Sequence, residues 1–496
     1  MGLEIDREDF DDADRRQFAT RLEDDLVALE ALLERPGFGL GPLSLGAELE
    51  VSLIDAAGHP LGLNRTILAE TLDPRVTLEV DRFNLEINTR PTLLAGHPLR
   101  VLAAELVGAL AELARAAAPH GGRVATIGIL PTLRAEDLTA SALTDSRRYR
   151  ALSASIRRLR EKPFSVCIEG EDRLVTTADD VTLEGASTSL QLHLRVAPAA
   201  FAPTYNAAQI ATAPALAAAG NSPLFLGHRL WEETRIALFR QSVDERGDAG
   251  EEEWRPARVS FGHGWVRRGA LELFAESAGL YAPLLPLVGS EDPLGCVRSG
   301  GVPALDELRL HHGTVWRWNR AVYDPAGGGH LRIELRALPA GPTLADMMAN
   351  TAFLVGLTLG LAPAAERLVQ RMTFGHARRN FYRAARDGLA AELLWPADDA
   401  PSPRPVAART LILALLPRAR AGLLAGGVSP DEVERALGVL AARVERGATG
   451  ARWQRRALAA LERDRRCRAE ASAAMLERYL AASASGRPVH EWQELG

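Results

Sequence analysis

Between Gly313 and Pro342 the chain reads GTVWRWNRAVYDPAGGGHLRIELRALPAGP. Two alternating runs flank Asp324, Pro325, Ala326 and three glycines, the pattern of an antiparallel hairpin with a loop of several residues. Side chains alternate along a strand, so Leu331, Ile333, Leu335 and Ala337 share one face and Arg332, Glu334 and Arg336 the other. A carboxylate between two guanidinium groups is unusual on a solvated strand face, where Thr, Ser and Lys are commoner.

One such strand is weak evidence, because exposed ion pairs are nearly neutral in energy. The pattern recurs, however. In Leu45 to Leu53, Ala47, Leu49 and Val51 alternate with Glu48 and Glu50; in Leu78 to Thr89, Glu79 shares a parity with Asp81, and Glu86 with Asn88. In Ser189 to Val196, Leu190, Leu192 and Leu194 alternate with Gln191, His193 and Arg195. Four runs thus combine an apolar face with a face of metal- or phosphate-binding groups. The plainer alternative is a buried polar sheet face neutralised by internal ion pairs.

Two glutamates at i and i+2 on a strand carry Cβ atoms roughly 6–7 Å apart, a span that a metal ion bridges. Carboxylates converging to about 4 Å repel by about 4 kcal/mol in an effective dielectric of about 20, so a cation is expected to compensate them. Hard oxygen ligands favour Mg²⁺ or Mn²⁺. Arginines on the same face suit phosphate, because guanidinium donates two parallel hydrogen bonds and stays charged. Together these groups fit phosphoryl transfer from a nucleotide. No GxxxxGK loop is present, which argues against a P-loop enzyme. His263, His376 and the pair His311-His312 are read as structural, whereas His193 shares the polar parity of Gln191.

The chain of 496 residues, 47% hydrophobic and 25% charged, is long enough for a large catalytic core and an accessory part. A formal charge of −6 argues against non-specific nucleic-acid binding and for small-molecule partners. Cys167, Cys296 and Cys467 form no CxxC, so neither a disulfide framework nor a zinc knuckle is expected, and a cytoplasmic location fits. The acidic N-terminus has no signal-peptide pattern, and the apolar stretch Thr351 to Pro363 reads as too short to span a membrane.

Helices are expected over Asp14 to Arg35, Leu99 to Ala118, Leu143 to Lys162, Tyr205 to Ala219, Trp231 to Gln241 and Thr343 to Leu361. Val124 to Leu130 reads as a buried strand and Pro163 to Glu169 as a further sheet member. Most arginines of Leu143 to Lys162 are expected on a solvated face, with one or two able to reach substrate carboxylates. Asp244 to Glu253 reads as a charged loop able to serve as a lid. From Arg371 the composition shifts, and Pro401, Pro403 and Pro405 precede several helices over Val406 to Ala484, broken near Gly426-Gly427 and Gly447 to Gly450. Residues 1–370 are therefore expected to form the catalytic domain, and 371–496 a mainly helical region, either an accessory domain or a dimerisation surface.

The motifs GAELEV, LEVDRFNLEINTRP, STSLQLHL, NSPLF and HLRIELRALPAGPT, in this order, resemble the glutamate–cysteine ligase family of carboxylate–amine ligases, which is distantly similar to glutamine synthetase. The resemblance covers roughly Leu43 to Leu361. It implies an α+β fold, with a curved antiparallel sheet funnel covered by helices, that takes ATP at one end and holds divalent ions midway. It also implies a place in glutathione biosynthesis. Glu48 and Glu50 match the family's ExE metal pair, Glu86 and Glu334 match further metal-binding glutamates, and Glu79 is a looser match. Gln191 stands where glutamine synthetases carry a metal-binding His; with His193 it is a candidate for metal or nucleotide. Arg332 and Arg336 match arginines that handle phosphate, and Arg320 joins them as a candidate.

The resemblance further implies that a carboxylate, glutamate being the expected one, attacks ATP to give an acyl phosphate, which cysteine, another amino acid or a peptide then displaces as the amine. Two alternatives belong to other classes: a nucleotide- and metal-binding regulatory homologue without turnover, and a metal-dependent amide hydrolase that consumes no ATP. On the ligase reading, Glu334→Gln abolishes turnover while the fold is retained. Circular dichroism with ADP release measures both, and a folded variant of undiminished activity overturns the assignment.

Overall fold

The computed structural model describes residues 5, 7–160, 162–246, 255–397, 402–464 and 467–493. Its centre is an eight-stranded antiparallel sheet curled into a half-barrel. In chain order the strands are β1 (Ser44–Ile54), β2 (Val76–Leu78), β3 (Asn84–Asn88), β4 (Thr92–Leu93), β5 (Arg123–Ala125), β6 (Ser189–Val196), β7 (Asn319–Asp324) and β8 (His330–Pro339). They lie in the order β7-β8-β6-β1-β3-β2, with β4 and β5 also paired to β1. The hairpin read from Gly313 to Pro342 is therefore the edge pair β7-β8, joined through Ala326–Gly328.

The helices that matter for the site are α1 (Asp12–Glu34), α2 (Pro98–Ala117), α3 (Arg147–Arg160), α4 (Thr182–Gly185), α5 (Phe201–Ala219), α6 (Thr234–Ser242), α7 (Asp306–His312), α8 (Leu344–Leu361), α9 (Ala408–Ala425), α10 (Pro430–Arg446), α11 (Gly450–Arg463) and α12 (Arg468–Ala484). Leu49, Val51, Leu190, Leu192, Leu194, Leu331, Ile333 and Leu335 are all buried, as the alternation requires, on the sheet face covered by α5 and α8 over β6 to β8 and by α2 over β1. Both helices are apolar nearly all round because they are enclosed on every side: α5 by the sheet and α8, and α8 in turn by α9 and α10. Gly356 and Gly422 let α8 and α9 approach so closely that a Cβ at either would strike the facing backbone. One core runs from Leu45 of β1 to Val444 of α10, so the composition break near residue 370 interrupts no packing.

Three expectations need correction and one gains a detail. Phe164–Glu169 is not part of the main sheet; it pairs only with Arg173–Ala178, and its alternating exposure shows a hairpin with one solvated face. Of Val124 to Leu130, only the Arg123–Ala125 stretch forms a strand, after which the chain leaves the ladder. The helical C-terminal part also holds a small hairpin, Glu392–Trp395 with Arg404–Ala407. The apolar stretch Thr351 to Pro363 is part of a longer helical segment, Leu344–Arg371, which by length and composition could cross a membrane, but in the fold α8 is a core helix. Most of the charged loop Asp244 to Glu253 lies outside the described residues, as does Pro401.

The C-terminal helices are tied to the sheet by buried polar groups. Arg443 of α10, 1% exposed, donates to Asp346 of α8 at 3.1 Å and to Asn350, while Asp346 also accepts from Thr343 Oγ1 and from the Val489 amide. Removing one partner of a buried pair leaves the other charge without compensation. Arg443→Ala is therefore expected to lower the unfolding free energy by about 3 kcal/mol, measured by urea titration.

Candidate active site

The polar face of the half-barrel brings together residues far apart in sequence. Register places Glu334 opposite His193 on one side and Arg320 on the other, Gln191 opposite Glu48, and Glu50 opposite Glu86. Glu79 follows β2 outside any strand, yet its carboxylate reaches Glu50 and Glu86.

Two groups converge there, each with ligand atoms within 4.8 Å of one another: Glu48, His193 and Glu334, and beside them Glu50, Glu79 and Glu86. In the first, Glu334 has no exposed surface and accepts from Arg320 Nε at 2.6 Å, from Arg320 Nη2 at 3.1 Å and from Arg336. Burial pushes its pKa up, but the two guanidinium groups outweigh this and hold it well below the ordinary carboxylate value. Glu48 likewise feels burial, yet His193, whose Nε2 lies 2.9 Å away, brings it down to about 2. His193 Nδ1 is buried without a hydrogen-bond partner.

The second group is not neutralised in this way. Burial pushes Glu79 well above its ordinary value, with Glu86 and Glu50 adding to the effect, and burial with the charge of Glu48 lifts Glu86 to about 7. Their protein partners are chiefly neutral donors: Asn88 at 2.7 Å and Thr77 at 3.3 Å to Glu86, Gln191 at 3.0 Å and the Ser189 amide at 2.7 Å to Glu50. Three crowded oxygen donors with this surplus of negative charge fit a hard divalent cation. The first group adds one imidazole, a donor that Mn²⁺ accepts more readily than Mg²⁺.

Of the residues singled out from sequence, Glu48, Glu50, Glu79, Glu86, Glu334 and His193 gather in these two groups. Gln191 stands between them, donating to Glu50 and accepting from Arg336, so its amide is engaged on both sides and it joins neither group. Arg336 and Arg320 contact Glu334. Arg332, expected beside Glu334 as closely as Arg336, instead pairs with Asp324 at 3.2 Å, one step nearer the hairpin end.

A cavity of about 510 Å³ runs along both groups, with Arg148 and Tyr149 of α3, Arg309 and His312 of α7, Arg320 and Arg332 among its lining, a size suited to a small molecule. It meets a smaller chamber of about 50 Å³ at Glu50, Glu79, Glu184 and Arg336. Glu184 of α4 and Arg235 of α6 line this chamber, and no periodicity in the sequence marked either. Arg235 reaches the carbonyls of Ala337 and Leu338 at 3.4 and 3.2 Å, where a bulge breaks the β8 register. Burial drives Glu184 up to about 8, against the charge of Arg336.

Residues 44–478 match the model of glutamate-cysteine ligase family 2. No curated protein sequence matches the chain. Among solved structures, the glutamate–cysteine ligase of Francisella tularensis, crystallised with AMP, aligns with a TM-score of 0.56 at 11% identity, covering 92% of this chain and 90% of that one. A bifunctional glutathione synthetase from Pasteurella multocida gives a TM-score of 0.42 at 13% identity over 94% of this chain and 55% of that one. At 11% identity the likeness to the Francisella tularensis enzyme is one of fold.

Glu86 and Glu184 hold protons in the fold that the unfolded chain releases above 4.5, so their contribution to stability is lost as pH rises from 4.5 through about 7 and about 8. Glu48 has the opposite sign: its stabilisation is present above 4.5 and lost as pH falls through about 2. Without divalent ions the melting temperature is thus expected to fall from mildly acidic to mildly alkaline buffer. Mn²⁺ is expected to raise it, and more at the alkaline end, where the carboxylates ionise. Scanning fluorimetry checks both trends.

Proposed function

The chain belongs to glutamate-cysteine ligase family 2, and from that premise we propose that it joins a carboxylate to an amine at the expense of ATP through an acyl phosphate. Glutamate is the proposed carboxylate and cysteine, another amino acid or a peptide the amine. The observation that carries this reading is the pair of adjacent three-ligand groups, one neutralised by arginine and one not, inside a cavity large enough for a small molecule.

In this reading Glu48, His193 and Glu334 hold one divalent ion and Glu50, Glu79 and Glu86 another. Bound there, Mg²⁺ or Mn²⁺ supplies positive charge to phosphoryl oxygens. Arg320 and Arg336 keep Glu334 ionised and rigid, and Gln191 holds Glu50 and Arg336 at a fixed separation. Arg148, Arg309 and Arg332 line the larger cavity, where their charge favours the polyphosphate of ATP.

A substrate carboxylate oxygen attacks the γ-phosphorus, the bond to ADP breaks, and an acyl phosphate forms. The amine nitrogen then attacks the acyl carbon, the bond to phosphate breaks, and the nitrogen loses a proton to give the amide. Neither step needs a covalent nucleophile from the protein, in keeping with a site that holds groups in place and stabilises charge.

The test is Mg²⁺-dependent ADP release across a panel of amino acids, with hydroxylamine present to trap an acyl phosphate as a hydroxamate. A hydroxamate formed with one carboxylic acid, glutamate being expected, supports the ligase and names its donor. ATP binding without ADP or hydroxamate for any acid overturns it.

A further inference from the structure

The smaller chamber holds polar groups that nothing in the fold satisfies. Asn84 is 2% exposed, lines the chamber, and has no hydrogen-bond partner on either side-chain atom. Glu184 Oε2 and Ser187 Oγ, also on its wall, are buried and equally without partners. Behind them Asp81, 0% exposed, has both carboxylate oxygens unpaired and is packed against Gly185, where a Cβ would collide with it. Buried polar groups are ordinarily hydrogen-bonded, and four neighbouring exceptions call for a missing partner.

The donor set says what that partner is. Five of the unpartnered atoms are acceptors, Glu184 Oε2, Asn84 Oδ1, Ser187 Oγ and both Asp81 oxygens, against two donors, Asn84 Nδ2 and Arg235 Nε, so the partner that fits most of them is rich in N–H donors, as an ammonium group is. Among the described residues, acidic and histidine ligand atoms converge within 4.8 Å only in the two groups already described, and neither Asp81 nor Glu184 belongs to them. The chamber is therefore shaped for hydrogen bonds spread around a cation, not for the short, crowded coordination of a divalent metal. Its volume of about 50 Å³ admits a headgroup of a few atoms, since a single water needs roughly 10–15 Å³. The body of such a molecule lies in the larger cavity, which the chamber joins at Glu50, Glu79 and Arg336.

Resting on the ligase reading, we propose that this chamber seats the primary ammonium group of the acceptor amine, with Glu184, Asn84 and Ser187 receiving its N–H bonds and the Asp81 carboxyl packed behind them. The ammonium gives up one proton to water in the larger cavity, and the amine nitrogen, its lone pair now free to attack the acyl carbon, stands beside the carboxylate and guanidinium groups at which the acyl phosphate forms. Selectivity for a primary amine follows from unpartnered acceptors that outnumber the donors on this wall and that a group with fewer N–H bonds leaves unpaired.

Hydroxylamine tests this, because it is uncharged at neutral pH and captures the acyl phosphate without needing an ammonium seat. In Glu184→Gln, amide formation with the amino-acid acceptor is expected to fall roughly thirtyfold further than hydroxamate formation, with the loss expressed as a higher KM for the amine. Ser187→Ala, a milder change, is expected to show the same split at roughly fivefold and carries the test if Glu184→Gln does not fold. Equal loss of both reactions in a variant of unchanged melting temperature overturns the proposal, as does no loss of either, which would assign the chamber to ordered water. Absence of ADP and hydroxamate from the wild-type protein is a different result and counts against the ligase reading itself.

Discussion

Glu334 is a carboxylate with no exposed surface that nonetheless stays ionised, and the polar interior of the half-barrel depends on how that is achieved. Arg320 from β7 grips it with two donors, Arg336 from its own strand adds a third, and His193 stands opposite on β6. A buried ion costs several kcal/mol unless opposite charge and hydrogen bonds meet it on every side. Three strands must therefore stay in register for the row to remain neutral, and the pairing of β6 with β1, which sets Glu48 opposite Gln191, brings the Glu48 carboxylate diagonally to 2.9 Å from His193 Nε2. One step across the sheet the balance reverses: Glu50, Glu79 and Glu86 find mostly amides and hydroxyls, and the surplus negative charge calls for cations from outside the chain.

Support for this arrangement comes from the far end of the sequence. Gln454 of α11 and Tyr479 of α12 hydrogen-bond the side chain of Asn221, which holds the Ala340 carbonyl just beyond β8. The Asn221 amide donates to Glu233, Glu233 pairs with Arg235 at 3.4 Å, and Arg235 takes up the carbonyls left free by the β8 bulge. Each link is buried, so a gap anywhere along it leaves an unpaired polar group. The C-terminal helices are thereby joined by hydrogen bonds to the strand that carries Glu334 and Arg336.

Much of the candidate site was legible because a strand has a period of two. Alternation alone put Glu48, Glu50, Glu86, Gln191, His193, Glu334 and Arg336 on one face, and burial of the intervening leucines follows from the same rule. The rule misled where the chain was not a strand. Leu78 to Thr89 reads as one alternating run, but β2 ends at Leu78 and the next residues turn, so Glu79 enters the metal-type group while Asp81 packs against Gly185. Phe164–Glu169 alternates as well as β1 does, yet alternation carries no information about which strand will be its neighbour.

The sequence by itself determined which residues turn toward the polar interior, because side-chain direction on a strand is a local property of the backbone. It also determined the family, because several motifs in fixed order are a local record as well. Only the tertiary structure decided which charges meet. Arg320 rather than Arg332 became the close partner of Glu334 through the pairing of β7 with β8, and His193 rather than Gln191 completed a three-ligand group through the register of β6. Glu184, Asn84 and Ser187 came to share one chamber because a helix of four residues and two strand ends close on the same point, and such closure depends on packing between segments distant in the chain.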